Sequence, residues 1–184
     1  QLSGVDFDYL PVGFQPTDAA PWPGLRGFSG QLVLDHLKLN IAAGTSGVVG
    51  ATGVRLSEGA VALDDLVTDT TLTVRTRARG PARAMLGYVQ TSPLKTLTGD
   101  ALAQTTVGGD ADLGVTLKLP LFDLDAFTVA GTVAFDGNDL KIHPAAPLLA
   151  RTRGTLAFTE QGFVVLGGNT RLFGGELKFE GGLR

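Results

Sequence analysis

The chain has 184 residues, 26 of them Gly and none Cys, with a net charge of −3 and a pI near 5.3. That length suits one domain or one piece of a larger assembly, the acidic balance excludes a nucleic-acid footprint, and the lack of Cys excludes disulfides and thiolate metal sites. No apolar run approaches the roughly eighteen residues of a membrane-spanning helix.

The chain starts at Gln1 with no charged and apolar leader, so it reads as a segment of a longer protein, with any anchor or targeting signal expected elsewhere. Residues 1–24 hold Pro11, Pro16, Pro21 and Pro23 and read as an irregular entry segment, with a short strand near Gly4–Tyr9. Trp22, between two prolines, is expected to plug a sheet edge. Residues 25–80 form a first block of β-hairpins. Gly30–Asp35 pairs with Leu37–Ile41 around Asp35-His36, and Val48–Leu56 with Ala60–Leu66 around Ser57-Glu58-Gly59. In Thr70–Arg79, Leu72, Val74, Thr76 and Ala78 alternate with Thr73, Arg75, Arg77 and Arg79, the signature of a strand buried on one side only.

Gly80-Pro81 interrupts the alternation. Pro81 suits the first turn of a helix, and Met85, Leu86, Tyr88 and Val89 fall at helical spacing over Ala82–Thr91. Residues 81–92 are therefore expected to be a short helix covering part of the apolar face. Gly87 costs such a helix about 1 kcal/mol relative to Ala, so packing must hold it, and Ser92-Pro93 ends it. Residues 93–184 form a second meander. Its predicted strands are Val107–Leu119, Asp125–Phe135, Leu140–His143, Leu149–Thr159, Phe163–Leu166 and Arg171–Glu180. Asp136-Gly137-Asn138-Asp139, Glu160-Gln161-Gly162 and Gly167-Gly168-Asn169 are turn-forming sequences between them. The fold class predicted is all-β: one continuous domain made of an extended, curled antiparallel meander with one short helix.

No catalytic motif is present: no G-x-S-x-G, no H-E-x-x-H and no phosphate-loop G-K-[ST]. His36 and His143 lie in separate halves without Ser or Cys partners and read as turn or strand-end residues. Asp6/Asp8, Asp110/Asp112 and Asp123/Asp125 have the i, i+2 spacing that puts two carboxylates on one strand face, which can serve acid–base chemistry or bind Ca²⁺. Each pair instead occupies the polar positions of an alternating segment or a turn, where it keeps outer faces and edges soluble. Asp136–Asp139 lacks the later ligands and bidentate Glu of a calcium loop. Neither an enzyme nor a cofactor or metal site is expected.

Gly109-Asp110-Ala111-Asp112, Leu119-Pro120-Leu121 and Val129-x-Gly131-x-Val133-x-Phe135 come first in a longer order. Asn138-x-Leu140-x-Ile142-x-Pro144, Gly154-x-Leu156-x-Phe158 and Leu172-Phe173-Gly174-Gly175 follow them. With Trp22-Pro23 and the Arg79-Gly80-Pro81 to Ser92-Pro93-Leu94 helix unit, this order over roughly residues 20–184 resembles the AsmA-like envelope proteins of Gram-negative bacteria, in particular their YhdP branch. The resemblance brings no catalytic residues. It implies the periplasm-facing part of an inner-membrane-anchored protein, a curled sheet whose hydrophobic groove carries phospholipid between the inner and outer membranes. Membrane contact would come from regions outside this segment, with no nucleic-acid partner.

A lipid tail gains roughly 0.8 kcal/mol per CH₂ removed from water, and about eleven strands at roughly 4.8 Å spacing would offer a trough on the order of 50 Å long. The residues expected to line it are Leu113, Val115, Leu117, Leu119, Phe127, Val129, Val133, Phe135, Leu140, Ile142, Leu156, Phe158, Phe173, Leu177 and Phe179. Alternation alone equally fits a closed sandwich or barrel filled by its own side chains. That would be a structural β-scaffold or outer-membrane assembly or adhesion module, binding a protein and no lipid. A carbohydrate-active enzyme would need more aromatic platforms than Trp22, Tyr9 and Tyr88 supply.

Overall fold

A computed structural model describes residues 2–7, 25–35, 38–43, 48–49, 52–64, 70–91, 102–123 and 126–183. Its strands are β1 (Leu2–Phe7), β2 (Leu25–Asp35), β3 (Lys38–Ala43), β4 (Val48–Val49), β5 (Arg55–Asp64) and β6 (Thr71–Pro81). Helix α1 (Ala82–Thr91) follows. The remaining strands are β7 (Thr106–Val107), β8 (Asp110–Pro120), β9 (Thr128–Lys141), β10 (Leu149–Thr159), β11 (Gly162–Leu172) and β12 (Gly175–Leu183). All belong to one antiparallel sheet of order β1-β2-β3-β5-β6-β8-β9-β10-β11-β12. Short β4 sits against β2 and β5, and β7 against β9. β1 and β12 end the path without pairing to each other, so the sheet is open.

The strands are longer than the turn chemistry predicted. Ser57-Glu58-Gly59 lies inside β5, where the register with β6 slips between Leu56 and Glu58. Asp136–Asp139 lies inside β9, and Gly167-Gly168-Asn169 inside β11. All three are β-bulges, which need the same residues as turns: glycine for positive φ and side chains that bond nearby backbone. Gly137 has φ 89. Only Glu160-Gln161, of the predicted connections in this half, turns the chain, and a second turn at Phe173-Gly174 joins β11 to β12. The predicted strand Val107–Leu119 is split at Gly108-Gly109 into β7 and β8. Trp22, the four entry prolines, His36, Asp8 and Asp125 lie outside the described residues.

Slips of register occur side by side in β9–β10, β10–β11 and β11–β12, so the sheet bends along a line crossing these strands. Polar side chains satisfy the backbone groups freed there. Asn138, 1 % exposed, donates from Nδ2 to the carbonyls of Gly108 (2.7 Å) and Asp110 (3.0 Å) and accepts from the Asp136 amide through Oδ1 (3.0 Å). Thr152 and Thr170 share a hydroxyl contact of 2.9 Å, and Thr170 donates to the Ala150 carbonyl.

Full burial of apolar side chains is sparse. Among the described residues it comprises Val54, Leu56, Ala78, Ala82, Val107 and Ala111. They fall in two small clusters joined by Met85 of α1: Val54, Leu56 and Ala78 beside Leu113, and Ala82, Val107 and Ala111 beside Val133, Phe135 and Leu140. The helix starts where the Ala82 amide donates to the Gly109 carbonyl at 2.9 Å. It covers one end of the sheet's apolar face.

Candidate functional site

Antiparallel pairing aligns the alternating residues into rows that cross the strands. Leu63, Leu72 and Leu119 are register partners in β5, β6 and β8. The next row is Val61, Val74, Leu117 and Val129, reaching β9. A third runs Leu56, Ala78, Leu113, Val133, Leu156 and Val165, from β5 to β11. Because side chains alternate with period two, these rows share a face. Within the third row Leu56 and Ala78 are buried under α1. The first two rows, at the rim opposite the helix, are only half-buried. A closed sandwich or barrel would bury them fully, as cores are packed to the density of organic crystals.

Between the second and third rows, Val115, Gly131, Phe158 and Phe163 are partners. The Phe158 ring covers Gly131, leaving no space for a Cβ there, and Phe179 covers Gly168 in the same way. An aromatic ring laid over a strand glycine restores the packing that the missing side chain forfeits.

The opposite face is charged and small. Arg77 meets Glu58 at 3.5 Å, Arg79 meets Asp112 at 3.7 Å and Arg153 meets Asp136 at 3.0 Å, all well exposed. Exposed pairs of this kind contribute little to stability. A depression of about 990 Å³ lies on this face, floored by Gly114, Ala130 and Ala157 and flanked by Arg75, Thr116 and Thr132. A twisted sheet is saddle-shaped, so each of its faces is hollow along one diagonal. Several of the acidic residues have structural partners. Asp6 accepts from the Gly27 amide, Asp139 from the Arg151 amide and Asp112 pairs as above. Among the described residues no group of three or more His, Asp or Glu could hold a metal ion. On α1, burial pushes the Tyr88 phenol up to about 12.

A family model described as the YhdP protein matches residues 4–182. The chain belongs to the YhdP family. The Intermembrane phospholipid transporter YhdP of Escherichia coli (strain K12) is 28 % identical over 145 residues, which is 79 % of this chain. The chain spans only about a tenth of that relative, 11 % of its length. No solved structure matches the chain significantly. No helix among the described residues is long and apolar enough to cross a membrane.

In this member of the YhdP family the residues expected to line a groove fall into three groups. Leu113, Val115, Leu117, Leu119, Val129, Val133, Phe135, Leu156 and Phe158 lie on the common face. Leu140, Leu177 and Phe179 join it beyond the line of bulges, Leu140 beneath the helix. Phe127 precedes β9, while Ile142 follows it and is 57 % exposed, and Phe173 occupies the β11–β12 turn at 90 % exposure. Sequence reasoning omitted Val61, Leu63, Leu72, Val74 and Val165, which extend the same rows. The alternation of Ala60–Leu66 and Thr70–Arg79 carried that signal for all of them but Val165. Missed too were Asn138, Thr152 and Thr170, whose role depends on bulges that periodicity does not reveal.

Proposed function

We propose that this chain is a periplasmic segment of a bridge-like lipid-transfer protein anchored in the inner membrane, and that its apolar face shields phospholipid acyl chains in transit between the inner and outer membranes. The observation that carries this reading is the pair of aliphatic rows, Leu63–Leu72–Leu119 and Val61–Val74–Leu117–Val129, which cross adjacent strands with every member only half-buried and no fully buried cluster among the described residues including them. An acyl chain exposed to water costs on the order of 10 kcal/mol at about 0.8 kcal/mol per CH₂. Contact with such rows removes much of that cost, and aliphatic contact has no preferred direction. Ten strands on the main path extend on the order of 45 Å at about 4.8 Å each. The family match and the name of the Escherichia coli relative support phospholipid as cargo. The chain's part is shielding, with no chemical step.

The test is a photoreactive benzoylphenylalanine placed at Leu117 and, as a control on the opposite face, at Thr116 of the protein in its native envelope. Phospholipid adducts at Leu117 with at least tenfold fewer at Thr116 are the expected result. Equal adducts at both positions, or none at Leu117, would overturn the proposal and leave a structural scaffold.

A further inference from the structure

Strand register brings the end of β9, the start of β10 and the β11–β12 turn to one rim of the sheet, the rim that carries α1. Leu140 pairs with Leu149, Ala150 with Arg171, and Leu172 with Gly175. Ile142, Leu148 and Phe173 therefore lie along successive strand ends, and they are 57 %, 49 % and 90 % exposed. Phe173 and Gly174 form a two-residue hairpin turn with φ 50 and 84. Positive φ at both positions is the type I′ turn, for which Asn-Gly is preferred and a bulky side chain at the first position is disfavoured. Phe173 thus pays twice, in backbone conformation and in apolar exposure, with little packing among the described residues to offset either. Arg151, φ 51, is the other non-glycine residue with positive φ among the described residues, and it lies on the same rim. Arg151 and Arg171 are exposed, and among the described residues neither forms an ion pair.

A strained, exposed aromatic beside guanidinium groups that form no ion pair, Arg171 even with Glu176 opposite it across β11–β12, is the composition of an interface anchor. We propose that this rim docks a protein partner whose surface offers an apolar pocket for Phe173, edged by carboxylates that face Arg151 and Arg171. The choice of protein over bilayer rests on the proposed function. Lipid moving across the strands travels parallel to the rim, so the hairpin tip points sideways from its path and away from either membrane. The aromatic anchor supplies affinity, while the arginines supply orientation and a salt-sensitive encounter.

The test uses benzoylphenylalanine at Phe173 in the protein in its native envelope, together with F173N and R171E. The expected result is an adduct with one other protein, mapped to a peptide containing Asp or Glu and reduced at least tenfold by R171E. F173N, which installs the preferred turn residue, is expected to raise the Tm of the chain by about 2–4 °C while abolishing co-purification of that protein. Adducts only with phospholipid, only within the same polypeptide, or absent altogether would overturn the proposal, as would a fall in Tm with F173N. The Leu117 probe, read in the same preparation, reports separately on lipid shielding.

Discussion

Asn138 carries more of the architecture than its place in a turn-like Asp-Gly-Asn-Asp sequence suggests. Its side chain serves two carbonyls and one amide at 1 % exposure, in the place where the ladder between β9 and β10 slips. Removing it takes the partner from two carbonyls and one amide in a part-buried place. Asn138→Ala is therefore expected to destabilise the chain by about 2–4 kcal/mol, measured by urea denaturation, with Asn138→Asp no better because a carboxylate cannot donate to the Gly108 and Asp110 carbonyls. A loss below roughly 0.5 kcal/mol would show that the bulge holds itself. Residues were legible by chemistry but not by assignment. Asp-Gly-Asn-Asp and Gly-Gly-Asn announce positive φ and self-bonding side chains, and a hairpin turn and a bulge use both. What separates them is whether the following residues continue pairing with the same neighbour, a long-range fact. Phe173-Gly174, the actual turn, has no such signature, because its first residue is a poor choice for the conformation.

At the scale of elements, the helix was the clearest feature of the sequence, since Gly80-Pro81, the helical spacing of Met85, Leu86, Tyr88 and Val89, and Ser92-Pro93 all agree. Alternation located β6 and β10 nearly to the residue and the end of β8, while the break at Gly108-Gly109 that starts β8 went unread. Strand order followed from hairpin succession, yet the short partners β4 and β7 did not, because two-residue pairings leave no periodic trace. The helix also holds a titratable probe. The Tyr88 phenol, pushed up to about 12 by burial, stays protonated in the folded chain after the unfolded chain has begun to ionise near pH 10. The unfolded state then binds fewer protons, so stability is full below about pH 10 and declines as pH rises toward 12. Denaturation midpoints taken from pH 8 to pH 12 should fall along this limb, and Tyr88→Phe should flatten it. An unchanged alkaline limb in the variant would mean that α1 leaves the phenol in water.

Across the whole molecule, the sheet divides into an end that holds the fold together and an end that does not. Both apolar clusters lie under α1, one packed by Leu113 and the other by Val133 and Phe135, whereas Leu117 belongs to neither. A charge at the first end meets packed side chains and loses its hydration. Val133→Arg is expected to cost about 3 kcal/mol or more. Leu117→Arg lies on a half-buried row and is expected to cost about 1 kcal/mol, while blocking the phospholipid transport proposed for the intact protein. Urea denaturation of the two variants checks the first half of this contrast and a phospholipid-transfer assay the second. Equal destabilisation would mean that the Leu117 row is packed as tightly as the helix end. This division was not readable from the chain, since the same leucines and valines occur at both ends and only the position of ten helical residues distinguishes them.

The row Val61–Val74–Leu117–Val129 repeats nearly the same branched aliphatic group at each step from β5 to β9. A hydrocarbon guest displaced by one step regains what it has just given up, so its free energy is almost level from one strand to the next. Under the proposed function, such a track would conduct without driving. Whatever sets the sense of net flow would then act where cargo is loaded and unloaded, and this stretch would need only to stay smooth.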